Sequence, residues 1–491
     1  MKALSAGNNS YGFSTVELML ALAIITLVLG AAVLADFSAQ YWIISSQTSN
    51  EALYHAKTKL EDLRATAKED FYQVLSSPKT QIDDPTCLAG GLCYFVETAI
   101  SDLSSCSKYA VATLSWQVPR YQEMTTSLPT NFSNPPEAVN LGGDCVLNQP
   151  AGVWTSLTSL YSYDFAPGNP TGIDAQDSRA YISWSSAPFI KVANSTGFLD
   201  TTPCALCTGP YNAIDVAHDE VTGRTYAYVA SSNVTKQLQI IDLTDTASPT
   251  LAGSAALAGV DPLGSFPQGW RITIYDRKVY ITTRETAGPE LHIFDVGDPG
   301  APVELGNKEL NTSVYGIVVR DQLSGGAKHR FAYLATTRDP YELMVLDVTS
   351  PASITEITGA HVDLPGSQAA KSVFTIGNLL YLGRDSVSSG PDLYVFNAAD
   401  PPAASGGLPQ IGSAEIGGGV TSIRVSGAYA FLATTKSGSE VQVLKSDPAL
   451  LSPISSYAVT NLAETGLDLN GDYLYVVTQI SPRLRVIKSN P

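Results

Sequence analysis

Tyr228-Val229-Ala230, followed shortly by Leu238-Gln239-Ile240-Ile241-Asp242, is one unit of a pattern that returns along the C-terminal two thirds of the chain. Each unit opens on an aromatic residue, an aliphatic one and a small one. The other openings are Tyr181-Ile182-Ser183, Tyr280-Ile281-Thr282, Tyr333-Leu334-Ala335, Tyr381-Leu382-Gly383, Phe431-Leu432-Ala433 and Tyr475-Val476-Val477. Successive anchors lie 47, 52, 53, 48, 50 and 44 residues apart. Ten to fourteen residues after most anchors comes a second strand-forming run, as in Leu291 to Asp295, Leu343 to Asp347, Leu393 to Asn397, Val441 to Lys445 and Leu484 to Lys488. Short strands repeating every 40 to 50 residues specify a β-propeller. Seven anchors predict seven blades, over residues 153–491.

The turns and the closure are also readable. In Asp242 to Pro249, Asp295 to Pro302 and Asp347 to Pro351 the carboxylate is placed to accept turn amides, and the proline fixes the exit. These aspartates read as turn residues and not as metal ligands. Asp468-Leu469-Asn470-Gly471-Asp472 reads as a hairpin turn, since no calcium-binding loop pattern is present. The last unit lacks an outer strand, so Trp154 to Phe165 is predicted to complete it and remove an open edge. The repeats resemble the LVIVD family of surface propellers, most clearly in the three middle units. That resemblance implies the fold and no particular activity.

At the other end, Gly12-Phe13-Ser14-Thr15-Val16-Glu17 precedes an uncharged run from Leu18 to Ala35. A carboxylate at the edge of a membrane-length apolar helix is costly unless it has a partner. From Asp36 the chain turns polar but keeps an apolar stripe at Phe37, Tyr41, Ile44, Thr48, Ala52, Ala56, Leu60, Leu63, Ala67, Phe71 and Val74. That stepping predicts one continuous helix over 13–77, its apolar half at 13–35, about 85 Å long at 1.5 Å per residue. The segment resembles the class III signal of type IV pilins and type II secretion pseudopilins. The resemblance implies a leader at 1–12 cut by prepilin peptidase between Gly12 and Phe13, N-methylation of Phe13, and a Glu17 carboxylate that meets the terminal amine of an adjacent subunit. It further implies packing against other pilins, residence in the inner membrane before assembly, and a final place in an extracellular filament. Many major pilins carry a kinking proline in the apolar half, and this chain has none there. A plain membrane anchor competes with this reading. A secretory signal fits less well, because only Lys2 is basic ahead of the run.

Residues 78–147 read as a small antiparallel β head, with strands predicted at Cys93 to Ile100, Lys108 to Trp116 and Tyr121 to Leu128. The arrangement resembles minor-pilin heads. A linker at 148–152 separates it from the propeller. The fold class is thus multidomain: a long helix with an α+β head, then an all-β propeller.

The 46 acidic and 29 basic residues give a net charge of −17, which excludes broad charge-driven binding to nucleic acid. Six cysteines, Cys87, Cys93, Cys106, Cys145, Cys204 and Cys207, follow the apolar run, and export would make them disulfides. Proximity pairs Cys87 with Cys93, Cys106 with Cys145 and Cys204 with Cys207, while Cys204-Ala205-Leu206-Cys207 also has the spacing of a redox or metal motif. The five histidines, His55, His218, His292, His329 and His361, show no close ligand spacing, and nucleophile-elbow, phosphate-loop and dinucleotide signatures are missing. Gly417-Gly418-Gly419 reads as an inter-blade loop. No catalytic residue, metal or cofactor is therefore expected. The leading expectation is a filament subunit that displays a propeller for interaction or adhesion with an unknown surface ligand. The alternatives are a structural filament subunit, a secretion pseudopilin, and a membrane-anchored propeller enzyme.

Overall fold

The computed structural model describes residues 15–69, 74, 76–82, 93–104, 107–117, 123–133, 150, 153–164, 168–185, 190–199, 204, 206–219, 221–259, 268–324, 327–460 and 462–490. Contacts divide the chain into two compact units, one of residues 1–103 and 107–133, the other of residues 104–106 and 134–491. The boundary expected at 147–148 lies outside the described residues.

The first unit is built on α1 (Thr15–Glu69), 55 residues long and uninterrupted by proline. Its stretch Leu18–Asp36 has a mean hydropathy of 2.8 and none of it is buried. Further along, the predicted stripe turns inward. Thr48, Ala52, Ala56, Leu60 and Ala67 are buried against a four-stranded antiparallel sheet of β1 (Ser77–Gln81), β2 (Tyr94–Ser104), β3 (Ser107–Gln117) and β4 (Glu123–Ser133), in that order. Alanines at positions 52, 56 and 67 let the helix approach closely, and Trp116, Tyr94 and Phe132 fill the space between. The Tyr94 hydroxyl donates to a Glu51 carboxylate oxygen at 2.9 Å, and Arg64 donates to the Thr130 hydroxyl at 2.9 Å.

Two expectations need correction here. The helix ends at Glu69, not Ser77, and Ser77 instead opens β1. The residue before a proline is driven out of helical geometry, and Pro78 follows Ser77. The third predicted strand is shifted to Glu123–Ser133, and β1 adds a fourth strand that the sequence reading had assigned to the helix end.

The second unit contains seven more four-stranded antiparallel sheets. Numbered from the N-terminal side as blades 1 to 7, they span 170–199, 211–255, 269–308, 314–356, 370–414, 420–457 and 462–489. Their first strands, Pro170–Gln176, Tyr211–Asp219, Gly269–Tyr275, Val314–Ser324, Ala370–Ile376, Val420–Ser426 and Leu462–Asn470, contact one another in sequence, and the seventh contacts the first. They form the inner wall of a closed ring. This is a β-propeller. Every anchor aromatic lies buried in the second strand of its blade.

Closure uses the segment expected for it. β5 (Leu157–Tyr163) pairs antiparallel with Leu484–Ser489 and supplies the fourth strand of blade 7. Just before it, Trp154 is fully buried and meets Phe431 edge-on with ring centroids 4.8 Å apart. Seven apolar clusters hold the ring, one at each junction between neighbouring blades, and the cluster joining blades 7 and 1 packs Tyr475 and Val486 against Ile173, Ile182 and Trp184. The turn after each third strand also contributes. The Pro351 carbonyl presses so closely on Gly306 of the preceding blade that a Cβ there would sit 1.9 Å from it. Only glycine fits at that approach.

Candidate functional site

The register of the inner strands places one residue of every blade directly opposite its anchor aromatic. These are Asp174, Asp215, Thr273, Val318, Phe374, Arg424 and Asp468, paired with Tyr181, Tyr228, Tyr280, Tyr333, Tyr381, Phe431 and Tyr475. Six of the seven are linked around the ring. Arg424 lies over the Phe374 ring, 5.8 Å from its centroid, and donates through Nε to Asp468 Oδ1 at 2.5 Å. Asp468 is hydrogen-bonded to Asp174, which requires a proton between the two carboxyls. Asp215 is bonded to the Thr273 side chain.

Each carboxylate also accepts a backbone N–H from the next blade. Asp468 Oδ2 accepts from Ala175, Asp174 Oδ2 from Val216 and Asp215 Oδ2 from Ile274, all at 2.8 Å. The three staples join blades 7 to 1, 1 to 2 and 2 to 3, around the junction where the ring closes. Enclosure by the channel wall raises the Asp215 carboxyl to about 6, against the lowering effect of the Ile274 and Thr273 bonds. The same desolvation, reinforced by the charges of Asp215 and Asp468, raises Asp174 well above the usual carboxylate range. The arrangement is a proton-sharing clamp between blades.

The mouth of the channel, at the start of the inner strands, is different in character. A cavity of about 510 Å³ opens there, lined from blades 3 to 7 by Arg271, Tyr315, Lys371, Thr421, Ser437 and Thr460 among others. Trp270 and Tyr315 form an edge-on pair, centroids 6.3 Å apart. Cations crowd this pair. Arg284 stacks 3.7 Å from the Trp270 centroid and reaches to 6.0 Å from that of Tyr315, Arg271 lies 4.8 Å from Trp270, and Lys371 lies 3.9 Å from Tyr315. Arg271 donates to the Tyr315 carbonyl at 2.9 Å, and Lys371 is 3.4 Å from Asp385. Arg284 makes no hydrogen bond or ion pair among the described residues, and its Nε is buried without an acceptor.

The residues singled out from sequence fall elsewhere. Gly12, Phe13, Cys87, Cys106 and Cys145 lie outside the described residues, as does the side chain of Glu17, whose backbone is in α1. Cys93 is disulfide-bonded, and its partner lies outside the described residues. Cys204 and Cys207 form a disulfide with Cα atoms 5.3 Å apart, buried beside blades 1 and 2. The turn aspartates act as turn residues: Asp242, Asp295 and Asp347 each accept the N–H two residues on, at 2.9, 2.7 and 2.9 Å. Asp468 departs from its expected role. The hairpin turn is at Gly471-Asp472, while Asp468 itself projects to the channel clamp.

The histidines do not converge among the described residues. His292 Nδ1 is 2.8 Å from Glu304, His329 Nδ1 is 2.8 Å from Asp347, and His361 Nε2 faces the Val345 carbonyl at 3.3 Å. Asp339, Glu342 and Asp363 bring carboxylate oxygens within 4.8 Å of one another on the rim of blade 4. Within Gly417-Gly418-Gly419, which links blades 5 and 6, a Cβ on Gly418 would meet the Lys436 nitrogen at 2.5 Å, so these glycines serve close packing.

Residues 220–256 and 417–441 match the LVIVD repeat. The propeller unit carries LVIVD repeats. No curated protein shows significant similarity to the chain. Among solved structures, the β-propeller domain of Cps50 (Swd1) from Myceliophteria thermophila aligns over 68% of this chain and 100% of its own, with 10% identity and a TM-score of 0.47. YCF48 from Cyanidioschyzon merolae aligns over 68% and 99%, with 12% identity and a TM-score of 0.42. A catalytically inactive virginiamycin B lyase from Staphylococcus aureus aligns over 68% and 99%, with 15% identity and a TM-score of 0.41. The likeness extends to the propeller fold and no further.

The channel residues escaped the sequence reading although a signal exists. In five blades the channel residue lies seven positions before the anchor, as Asp174 does before Tyr181 and Arg424 before Phe431. The insertions in the first hairpins of blades 2 and 4 break that spacing. Trp270 and Arg284 carry no pattern at all, since strands bring them together.

Proposed function

We propose that the chain is a pilin-like subunit of a type IV filament and that it presents its propeller as an interaction module, acting by binding and not by catalysis. The observation that carries this reading is α1 itself. Leu18–Asp36 is apolar, membrane-length and wholly uncovered, while the same helix from Thr48 onward is the spine of an antiparallel sheet. An apolar surface of that length needs lipid or other helices around it. A subunit held first by a bilayer and then by neighbouring helices satisfies the need in both settings. Glu17, one residue before the span, supplies a charge for a partner amine.

Mass spectrometry of the amino terminus of the chain recovered from isolated surface filaments tests this. The expected terminus is N-methylated Phe13. A chain in the same fraction that retains Met1 to Gly12, or one absent from filaments altogether, overturns the filament assignment and leaves the propeller on a plain anchor.

A further inference from the structure

We propose that the channel-mouth cavity binds an acidic saccharide, its carboxylate held between Arg284 and Lys371 beside the Trp270 and Tyr315 rings and its hydroxyls meeting the opposite wall. The proposal names the ligand class of the interaction module and rests on that part of the functional reading, but it does not depend on filament assembly.

Three observations lead to it. The first is charge. Arg271, Arg284 and Lys371 gather on one aromatic pair, with Asp385 as the carboxylate beside Lys371. Like charges so close repel one another, and a bound anion relieves that repulsion. Arg284 is the member prepared for it. Its planar guanidinium is held by stacking on Trp270 with no acceptor among the described residues, which leaves its fork of donors for a carboxylate. Arg284 and Lys371 approach the same Tyr315 ring, at 6.0 and 3.9 Å, so a single carboxylate lies within reach of both.

The second observation is the opposite wall. Ser437 and Thr460 are exposed hydroxyl residues on the lining, and Thr435 beside them accepts the Gly419 N–H at 2.8 Å. Donors and acceptors of this kind match vicinal hydroxyls. An aromatic pair next to them offers apolar faces for the C–H surface of a sugar ring. The third is the setting. On a chain of net charge −17, a small cationic pocket selects one placed carboxylate on a largely neutral ligand, because a dense polyanion is repelled by the remaining surface.

Calorimetric titration of the full chain in non-ionic detergent at low ionic strength, with a uronate oligosaccharide, its neutral counterpart, a sulfated oligosaccharide and an acidic peptide of equal charge, tests the inference. Saturable binding of the uronate is expected, weakened by added salt and absent for the neutral sugar. Arg284→Gln should weaken it roughly tenfold to a hundredfold, the effect of losing one charge-assisted contact. Lys371→Gln, on the exposed rim, should weaken it several-fold and keeps the test decisive if Arg284→Gln unfolds. Failure of the uronate to saturate by about 10 mM, or equal affinity for Arg284→Gln in a folded protein, overturns the site. Tighter binding of the sulfated sugar or of the peptide overturns the assignment of ligand class. None of these failures bears on the Phe13 terminus.

Discussion

Asp215 shows how a single side chain in this ring trades folding against protonation. Its carboxylate accepts the Ile274 N–H at 2.8 Å, which favours the charge, yet enclosure disfavours it more and the group is raised to about 6. An unfolded aspartate titrates near 3.9, so between about pH 4 and pH 6 the folded chain holds the extra proton. Stability from this group is therefore present at low pH and falls as pH rises through that window. Asp215→Asn keeps an acceptor for Ile274 without the charge. In the full chain, in detergent, chemical denaturation should show the variant more stable than the parent by about 1–2 kcal/mol at pH 8 and equal to it at pH 4. A variant weaker than the parent at pH 8 would show instead that the ionised carboxylate is held by Arg424. Asp174 and Asp468 share a proton on the adjoining staple, so the effect should depend on their state as well.

At the scale of elements, β5 turns an open stack of blades into a ring. Its pairing with Leu484–Ser489 covers the last edge, and Trp154 locks it by filling the blade 6 to blade 7 cluster with Phe431, Val443, Leu474 and Ile487. Truncating a fully buried tryptophan removes its apolar contacts and leaves a cavity, a loss of about 3–5 kcal/mol. Trp154→Ala is expected to lower the denaturation midpoint by that amount. It should also produce concentration-dependent association on size exclusion, because a loosened β5 exposes the Leu484–Ser489 edge. An unchanged midpoint would mean that the ring closes without it. The closing strand was legible in the sequence because a period with one strand missing at its end demands one from elsewhere. The blades were legible for a similar reason: Tyr228, Tyr280 and Tyr333 mark a period that local pattern alone carries. The head was read less accurately, since Ser77 to Gln81 has neither alternation nor bulky strand formers and becomes a strand only by pairing with β2. The channel clamp and the mouth cavity were hidden for a different reason. Asp174 and Asp468 are 294 positions apart and Trp270 and Lys371 about a hundred, so what unites them is ring geometry, which a linear pattern does not contain.

At the scale of the whole molecule, two surfaces of opposite chemistry share one chain: an acidic propeller unit and an uncovered apolar helix. The span Leu18–Asp36 is 19 residues, about 28 Å along a helix axis, close to the roughly 30 Å of a bilayer's hydrocarbon core. Net charge −17 gives no electrostatic reason to adhere to anionic lipid, so whatever holds this chain to a membrane must be that span. The expectation is specific. In membranes prepared from expressing cells, the full chain should resist high salt and alkaline carbonate and should be released by non-ionic detergent. A chain beginning at Ser46 keeps Thr48, Ala52, Ala56, Leu60 and Ala67, the residues that seat α1 on its sheet, and loses the uncovered span. It should appear in the soluble fraction with its β-sheet circular dichroism intact. Release of the full chain by carbonate, or retention of the shortened one on the membrane, would place the attachment somewhere other than α1.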